Sequence, residues 1–172
     1  MLRKLVVERF QWIDGDADVP GLFRDGEILV EVGAGLVELF DDEAFDLVVA
    51  PEARGFVLGA LVARVARCGL VLIRKPGSVH PGRVIEEECG LDWRGNRPRF
   101  RLREDDIEVG QRVLLVDDWV ETGSQMTACV KLIERAGGVV VGVAALVRDC
   151  DEATADRLRL RSVVEVGEVC EE

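Results

Sequence analysis

The sequence predicts an α/β fold around a mostly parallel sheet, and three observations carry that expectation. From Asp46 onward, short Val- and Leu-rich runs alternate with longer segments of helical spacing, as strands joined by crossover helices require. The chain has 172 residues, the length of one ordinary domain. Its 48% hydrophobic and 32% charged residues give a globular balance, with no low-complexity stretch and no linker.

Taken in order, Met1 to Phe40 breaks the regular pattern. It predicts an edge strand at Leu5 to Trp12, a turn-rich piece from Asp14 to Gly26, and a helix or mixed segment to Phe40. Val48 to Ala50 then reads as a strand. Gly55 to Arg67 reads as a helix, with Phe56, Leu58, Leu61, Val62 and Val65 available for a buried face, and Leu70 to Arg74 as the next strand. Residues 76–98 break the pattern again. They hold four glycines, three prolines and His80 with only weak periodicity, and long irregular segments of compact domains are often active-site lids. Arg112 to Asp117 is another strand. A helix from about Gly123 to Ala136 should end at Gly137-Gly138 before a strand at Val139 to Val147. A helical stretch, Asp151 to Leu158, and a strand, Ser162 to Val166, complete the sheet.

Composition excludes several functions. The apolar runs are far shorter than the roughly 20 residues that span a bilayer. The first ten residues carry Arg3, Lys4, Glu8 and Arg9 instead of a signal peptide's apolar stretch, so the expectation is a soluble cytoplasmic protein without membrane partners. Five widely spaced cysteines, with no C-x-x-C pair and a single histidine, predict reduced packed thiols and no direct metal site. A net charge of −11 disfavours general nucleic-acid binding. Against that total, Arg94, Arg97, Arg99, Arg101 and Arg103 place five cations within ten residues. Such a stripe is either a solvated strand face or an attractor of anionic substrate or RNA.

The segment richest in chemistry is Val113 to Gln125, V-L-L-V-D-D-W-V-E-T-G-S-Q, where an apolar strand ends in paired carboxylates and turns into a helix. In an open parallel sheet, ligands bind at that carboxyl edge. Adjacent Asp117 and Asp118 need cations, hydroxyl donors or solvent, and a sugar diol fits them; alone, the pair would also suit an exposed strand end or a helix cap. The turn Thr122-Gly123-Ser124 can wrap a phosphate with backbone N–H groups at a helix N-terminus.

The whole arrangement resembles the phosphoribosyl pyrophosphate motif of type I phosphoribosyltransferases, and two upstream elements extend the likeness to the adenine branch. Ala50-Pro51-Glu52-Ala53-Arg54-Gly55-Phe56 is similar to its pyrophosphate-binding strand-to-helix turn, and Ile73-Arg74-Lys75-Pro76-Gly77 to the element before its catalytic lid. The resemblance implies one domain over residues 1–172, with a small N-terminal hood within 1–40, a flexible catalytic lid at 76–98, and helices flanking the sheet. It implies that Asp117 and Asp118 hold the ribose hydroxyls, that Glu121, Thr122, Gly123, Ser124 and Gln125 surround the 5′-phosphate, and that Glu52, Ala53, Arg54, Arg74 and Lys75 bind pyrophosphate. Pro20-Gly21-Leu22-Phe23-Arg24-Asp25 resembles the hood segment, one residue shorter, which makes Phe23 and Arg24 base-binding candidates; Phe23 would serve equally as a core residue.

The implied reaction transfers the 5-phosphoribosyl group to a purine, adenine or adenine-like, giving a nucleoside 5′-monophosphate and pyrophosphate, as in purine salvage. Magnesium enters with phosphoribosyl pyrophosphate and reaches Asp117 and Asp118 through water, with no direct protein ligand. A homodimer is implied as well. The alternative is a phosphoribosyl pyrophosphate-sensing regulator of the same fold that binds RNA or DNA through the arginine stripe. This chain departs from the family pattern in its lid, which has no tyrosine because the chain contains none, and at three further places. Glu121 replaces the alanine usual in adenine-type members, and is either a proton acceptor for the base or a loop carboxylate facing water. Arg101 stands where the family carries a glutamate. Ser124 and Gln125 replace the usual glycine and threonine of the phosphate loop.

Overall fold

The protein is described by a computed structural model that covers residues 1–77, 81–91 and 96–170. The predicted edge strand at Leu5 to Trp12 is instead helix α1, Leu2–Arg9. Leu2, Leu5 and Val6 recur at spacings of three and four and all are buried, so helical packing overrides the β-preference of Val6 and Val7. A small hairpin follows, β1 (Trp12–Ile13) with β2 (Asp16–Ala17). Asp14 and Gly15, both at positive φ, supply the turn that two-residue hairpins favour. The one-turn helix α2 (Val19–Leu22) leads to α3 (Gly26–Glu38), capped by Asp25, whose Oδ1 accepts from the Glu27 and Ile28 amides.

The sheet begins with β3 (Leu47–Pro51), followed by α4 (Gly55–Ala66) and β4 (Gly69–Ile73). The segment read as irregular contains a strand, β5 (Val84–Glu88), which pairs antiparallel with β6 (Arg99–Arg103). Then come β7 (Arg112–Val120), α5 (Ser124–Arg135), β8 (Val139–Arg148), α6 (Glu152–Leu158) and β9 (Leu160–Glu165). The order is β4-β3-β7-β8-β9, and every neighbouring pair is parallel. Helix α5 ends as Gly137-Gly138 suggested. The Gly137 amide donates to Glu134 and the Gly138 amide to Ile133, a Schellman closure with Gly137 at φ +98°.

The sheet separates two apolar cores. Leu114 and Val116 of β7 face the core formed with α1, α3 and α4, while Val113 and Leu115 face that formed with α5 and β6. This alternation stops at the aspartates, since Trp119 packs with the first core and Val120 with the second. No helix among the described residues is long and apolar enough to cross a membrane.

Candidate active site

The aspartates do not terminate β7 as expected. The strand continues three residues further because Trp119 and Val120 pair with Val147 and Arg148 of β8. Asp117 and Asp118 are only 8% and 4% exposed, so both carboxylates sit inside the carboxyl edge of the sheet. The Asp118 amide donates to Asp117 Oδ1 at 2.9 Å, and Asp118 Oδ2 lies 2.6 Å from Arg54 Nε, across from β3. That ion pair is not aligned as a hydrogen bond, which leaves the buried oxygen with capacity for another donor. Gly55 makes the fit possible. A Cβ there would meet Asp117 Oδ1 and Pro51 Cδ at 3.0 Å.

Burial, then the charge of Asp118, pushes the Asp117 carboxyl well above the usual carboxylate range. The linkage has a definite sign. The native state keeps this proton while the unfolded chain has lost it, so this contribution erodes stability as pH rises from the unfolded value near 3.8 to the native one. Asp117→Asn keeps the oxygen that accepts from the Asp118 amide and removes the titration. The variant should therefore gain stability over wild type by roughly 1.4 kcal/mol per pH unit within that window. Thermal melts of both proteins from pH 4 upward test this, and a pH-independent difference would contradict it.

Beyond the strand, Gly123 turns the chain into α5 at φ +69°, a conformation that L side chains rarely adopt. Thr122 Oγ1 lies 3.0 Å from Ser124 Oγ and accepts from the Ser124 amide at 3.3 Å. The N-cap residue, Gly123, gives this helix no side-chain cap, and beyond the Thr122 contact its positive end can receive an anion. On the neighbouring strands, the Glu52-Ala53 peptide is cis, and Glu52 Oε2 accepts from the Lys75 amide at 3.0 Å. Glu52 thereby ties the turn after β3 to the turn after β4.

A cavity of about 300 Å³ collects almost all of the predicted phosphoribosyl pyrophosphate residues. Glu52, Ala53, Arg54, Lys75, Asp117, Asp118 and 121–125 line it, so Glu121, Thr122, Gly123, Ser124 and Gln125 are all present. Arg74 stands to one side. Its backbone bridges Arg101, and its Nε lies 3.7 Å from Glu52 Oε2.

Neither base-binding candidate lines this cavity. Phe23 packs against the first apolar core, because its position directly after α2 turns it inward beside Leu22. Arg24 borders a separate cavity beside Asp18 and Arg9. A cavity of about 610 Å³ instead adjoins the first, sharing Arg54, Lys75, Trp119 and Glu121 and adding Trp12, Gly15, Asp16, Ala17, Val19 and Asp149. Its two tryptophans, not singled out in the sequence, carried one signal: in a chain with six Phe and no Tyr, they are two of only nine aromatic residues.

Three arginines of the stripe are ion-paired, two of them across the hairpin. Arg101 pairs with Glu86 at 2.9 Å, Arg99 with Glu88 at 3.3 Å, and Arg103 with Asp106 at 2.5 Å. Glu87, on the other face, holds Lys131 and Arg135 of α5. Arg97 is exposed, while Arg94 and His80 lie outside the described residues. Among the described residues, no group of three or more His, Cys, Asp or Glu side chains is placed to hold a metal ion. The Asp117–Asp118 pair, with its under-occupied buried oxygen, suits the water shell of a magnesium ion carried by substrate.

Comparison with known proteins bears on the family and the fold. A family model described as phosphoribosyl transferase domain matches residues 22–167. The adenine phosphoribosyltransferase of Thermotoga petrophila is 44% identical over 130 residues, 76% of this chain and 75% of that protein. That of Clostridium perfringens is 37% identical over 142 residues, 83% and 81% of the two chains. Among solved structures, the adenine phosphoribosyltransferase of Thermoanaerobacter pseudethanolicus superposes with a TM-score of 0.85 at 27% identity, covering 96% of this chain and 99% of its own.

Proposed function

Because this chain belongs to the phosphoribosyl transferase domain family, we propose that it transfers the 5-phosphoribosyl group of phosphoribosyl pyrophosphate to adenine, releasing adenosine 5′-monophosphate and pyrophosphate. The chain is thus a pentosyltransferase of purine salvage. The observation that carries the reading is the single cavity where two buried carboxylates, an uncapped helix start and two cationic turns converge.

Each group has a task in the displacement, in which a base nitrogen bonds to C1′ while the C1′–oxygen bond to pyrophosphate breaks. Asp117 and Asp118 orient the ribose through its hydroxyls and favour the positive charge that grows on the ring. The 121–125 loop fixes the 5′-phosphate. Arg54 and Lys75 stabilise charge gathering on the departing pyrophosphate, with Arg74 contributing through Glu52 and its backbone bridge. Asp117 and Asp118 would hold, through water, a magnesium ion brought by the substrate, which would supply further neutralisation of that pyrophosphate. Residues 76–98, of which 78–80 and 92–95 lie outside the described residues, act as the lid that excludes water. The working form is a cytoplasmic homodimer.

Pyrophosphate release from magnesium phosphoribosyl pyrophosphate, measured against adenine, guanine, hypoxanthine, xanthine, uracil and orotate, tests the proposal. Adenine should drive release, and silence across the panel would overturn it. Glu121 lines both cavities, which suits a proton acceptor beside the base. Glu121→Ala should lower kcat with adenine by about 10²-fold. Unchanged steady-state kinetics on every accepted base would remove Glu121 from the chemistry.

A further inference from the structure

The cavity that adjoins the phosphate site differs in chemistry from the site itself. Of its lining residues, Arg54, Lys75, Trp119 and Glu121 are shared with the first cavity, so its cations stand at the junction where pyrophosphate would leave. The polar side chains that belong to the second cavity without sharing are Asp16 and Asp149. Two indoles complete it. The Trp12 and Trp119 rings meet edge to face with centroids 6.0 Å apart, and the Trp12 Nε1–H is already given to the Val169 carbonyl at 2.6 Å. Trp12 therefore offers a flat apolar surface and no free donor.

Asp149 is fixed in place by its backbone. It directly follows β8, and its amide donates to the Val120 carbonyl at 2.8 Å, which locks it beside the segment that carries Glu121. Among the described residues its carboxylate makes no hydrogen bond or ion pair. Its neighbour Arg148 cannot neutralise it, since that guanidinium is held by Glu152 and Glu165 at 3.0 and 2.6 Å. A half-buried acceptor-only group thus faces an aromatic-walled cavity next to the ribose clamp.

From this juxtaposition we propose that Asp149 is a specificity-determining residue that selects heterocycles bearing an exocyclic amino group, against the apolar wall that Trp12 and Trp119 form. This rests on the transfer reading above. An amino group presents N–H donors to a carboxylate, whereas a ring carbonyl in the same place sets lone pairs against a negative charge. Adenine and 2,6-diaminopurine satisfy the cavity, and hypoxanthine does not.

Calorimetric titration of each base into the full chain, with magnesium, pyrophosphate and ribose 5-phosphate present, separates this proposal from the one it builds on. Wild type should bind adenine and 2,6-diaminopurine at least about tenfold more tightly than hypoxanthine. In Asp149→Asn, whose amide can donate to a carbonyl, that ratio should fall close to one, and Asp149→Ala should lose adenine affinity without gaining hypoxanthine. Equal or undetectable binding of adenine and hypoxanthine by wild type, or an unchanged ratio in Asp149→Asn, overturns the inference. Pyrophosphate release is followed in parallel. If no base supports release yet adenine binds with an Asp149-dependent preference, the transfer reading falls and the specificity assignment stands.

Discussion

Replacing both Asp117 and Asp118 by Asn should remove measurable binding of magnesium phosphoribosyl pyrophosphate while leaving the protein folded. In the proposed ribose clamp each carboxylate, ionised in the complex, accepts a charge-assisted hydrogen bond from a hydroxyl, worth about 1.5–3 kcal/mol. Losing the charge on both costs about 3–6 kcal/mol, roughly a 10²- to 10⁴-fold weaker Kd. The amides are nearly the same size, and Asp118→Asn releases Arg54 from its 2.6 Å partner without opening a void. Calorimetry reads the affinity, and a melting temperature at or above wild type shows that the loss is local. Retained affinity with a folded protein would reject the ribose-clamp assignment. The pH behaviour of Asp117 sharpens the contrast, because the residue assigned to the ribose clamp is one that the empty protein tolerates at a cost.

Gly123→Ala should be strongly destabilising. The left-handed backbone costs a non-glycine residue about 1–2 kcal/mol. The added Cβ would lie 2.5 Å from Thr154 Cγ2 and 3.1 Å from Leu158 Cδ1, forcing α6 away from the phosphate loop. Such overpacking adds about 1–3 kcal/mol. The sum, about 2–5 kcal/mol, should appear in the denaturant midpoint, together with a raised KM for phosphoribosyl pyrophosphate. A variant with both quantities unchanged would show that the loop is not shaped by its contact with α6.

Much of this was legible in the sequence, for reasons that differ by segment. Val113 to Gln125 carries its chemistry locally. An apolar run, two acids and a small-residue turn can hardly serve a core strand otherwise, and the cavity contains every residue expected from that stretch. The end of β7 was misplaced because Trp119 and Val120 are strand residues only through their partners in β8. Strand β5 was invisible for a related reason. Glu86, Glu87 and Glu88 look unlike a strand until Arg99 and Arg101 are set opposite and Lys131 and Arg135 behind. In α1, the spacing of Leu2, Leu5 and Val6 was readable, but the β-branched Val6-Val7 pair outweighed it. Phe23 illustrates a true limit. Whether an aromatic ring turns to a core or to a ligand depends on the hood's path, and here that path gives the cavity Trp12 and Asp16. Asp149 had no motif at all; only its register beside Val120 makes it part of the cavity.

The central place of β7 also has a consequence for how the chain acquires its activity. Arg54 follows β3 and Asp118 lies in β7, so the two meet only after a loop closure like that joining Asp46 to Arg112, 66 positions away. Parallel pairing at such separation is among the slower events of folding, because chain entropy is lost well before contacts repay it. An ensemble with β3–α4–β4 formed but β7 undocked would have helices and half a sheet, yet nothing to grip a sugar phosphate. Substrate affinity therefore requires this long-range closure, and ligand present at one hundred times Kd would deepen the native well by about 2.7 kcal/mol relative to any state in which β7 is undocked.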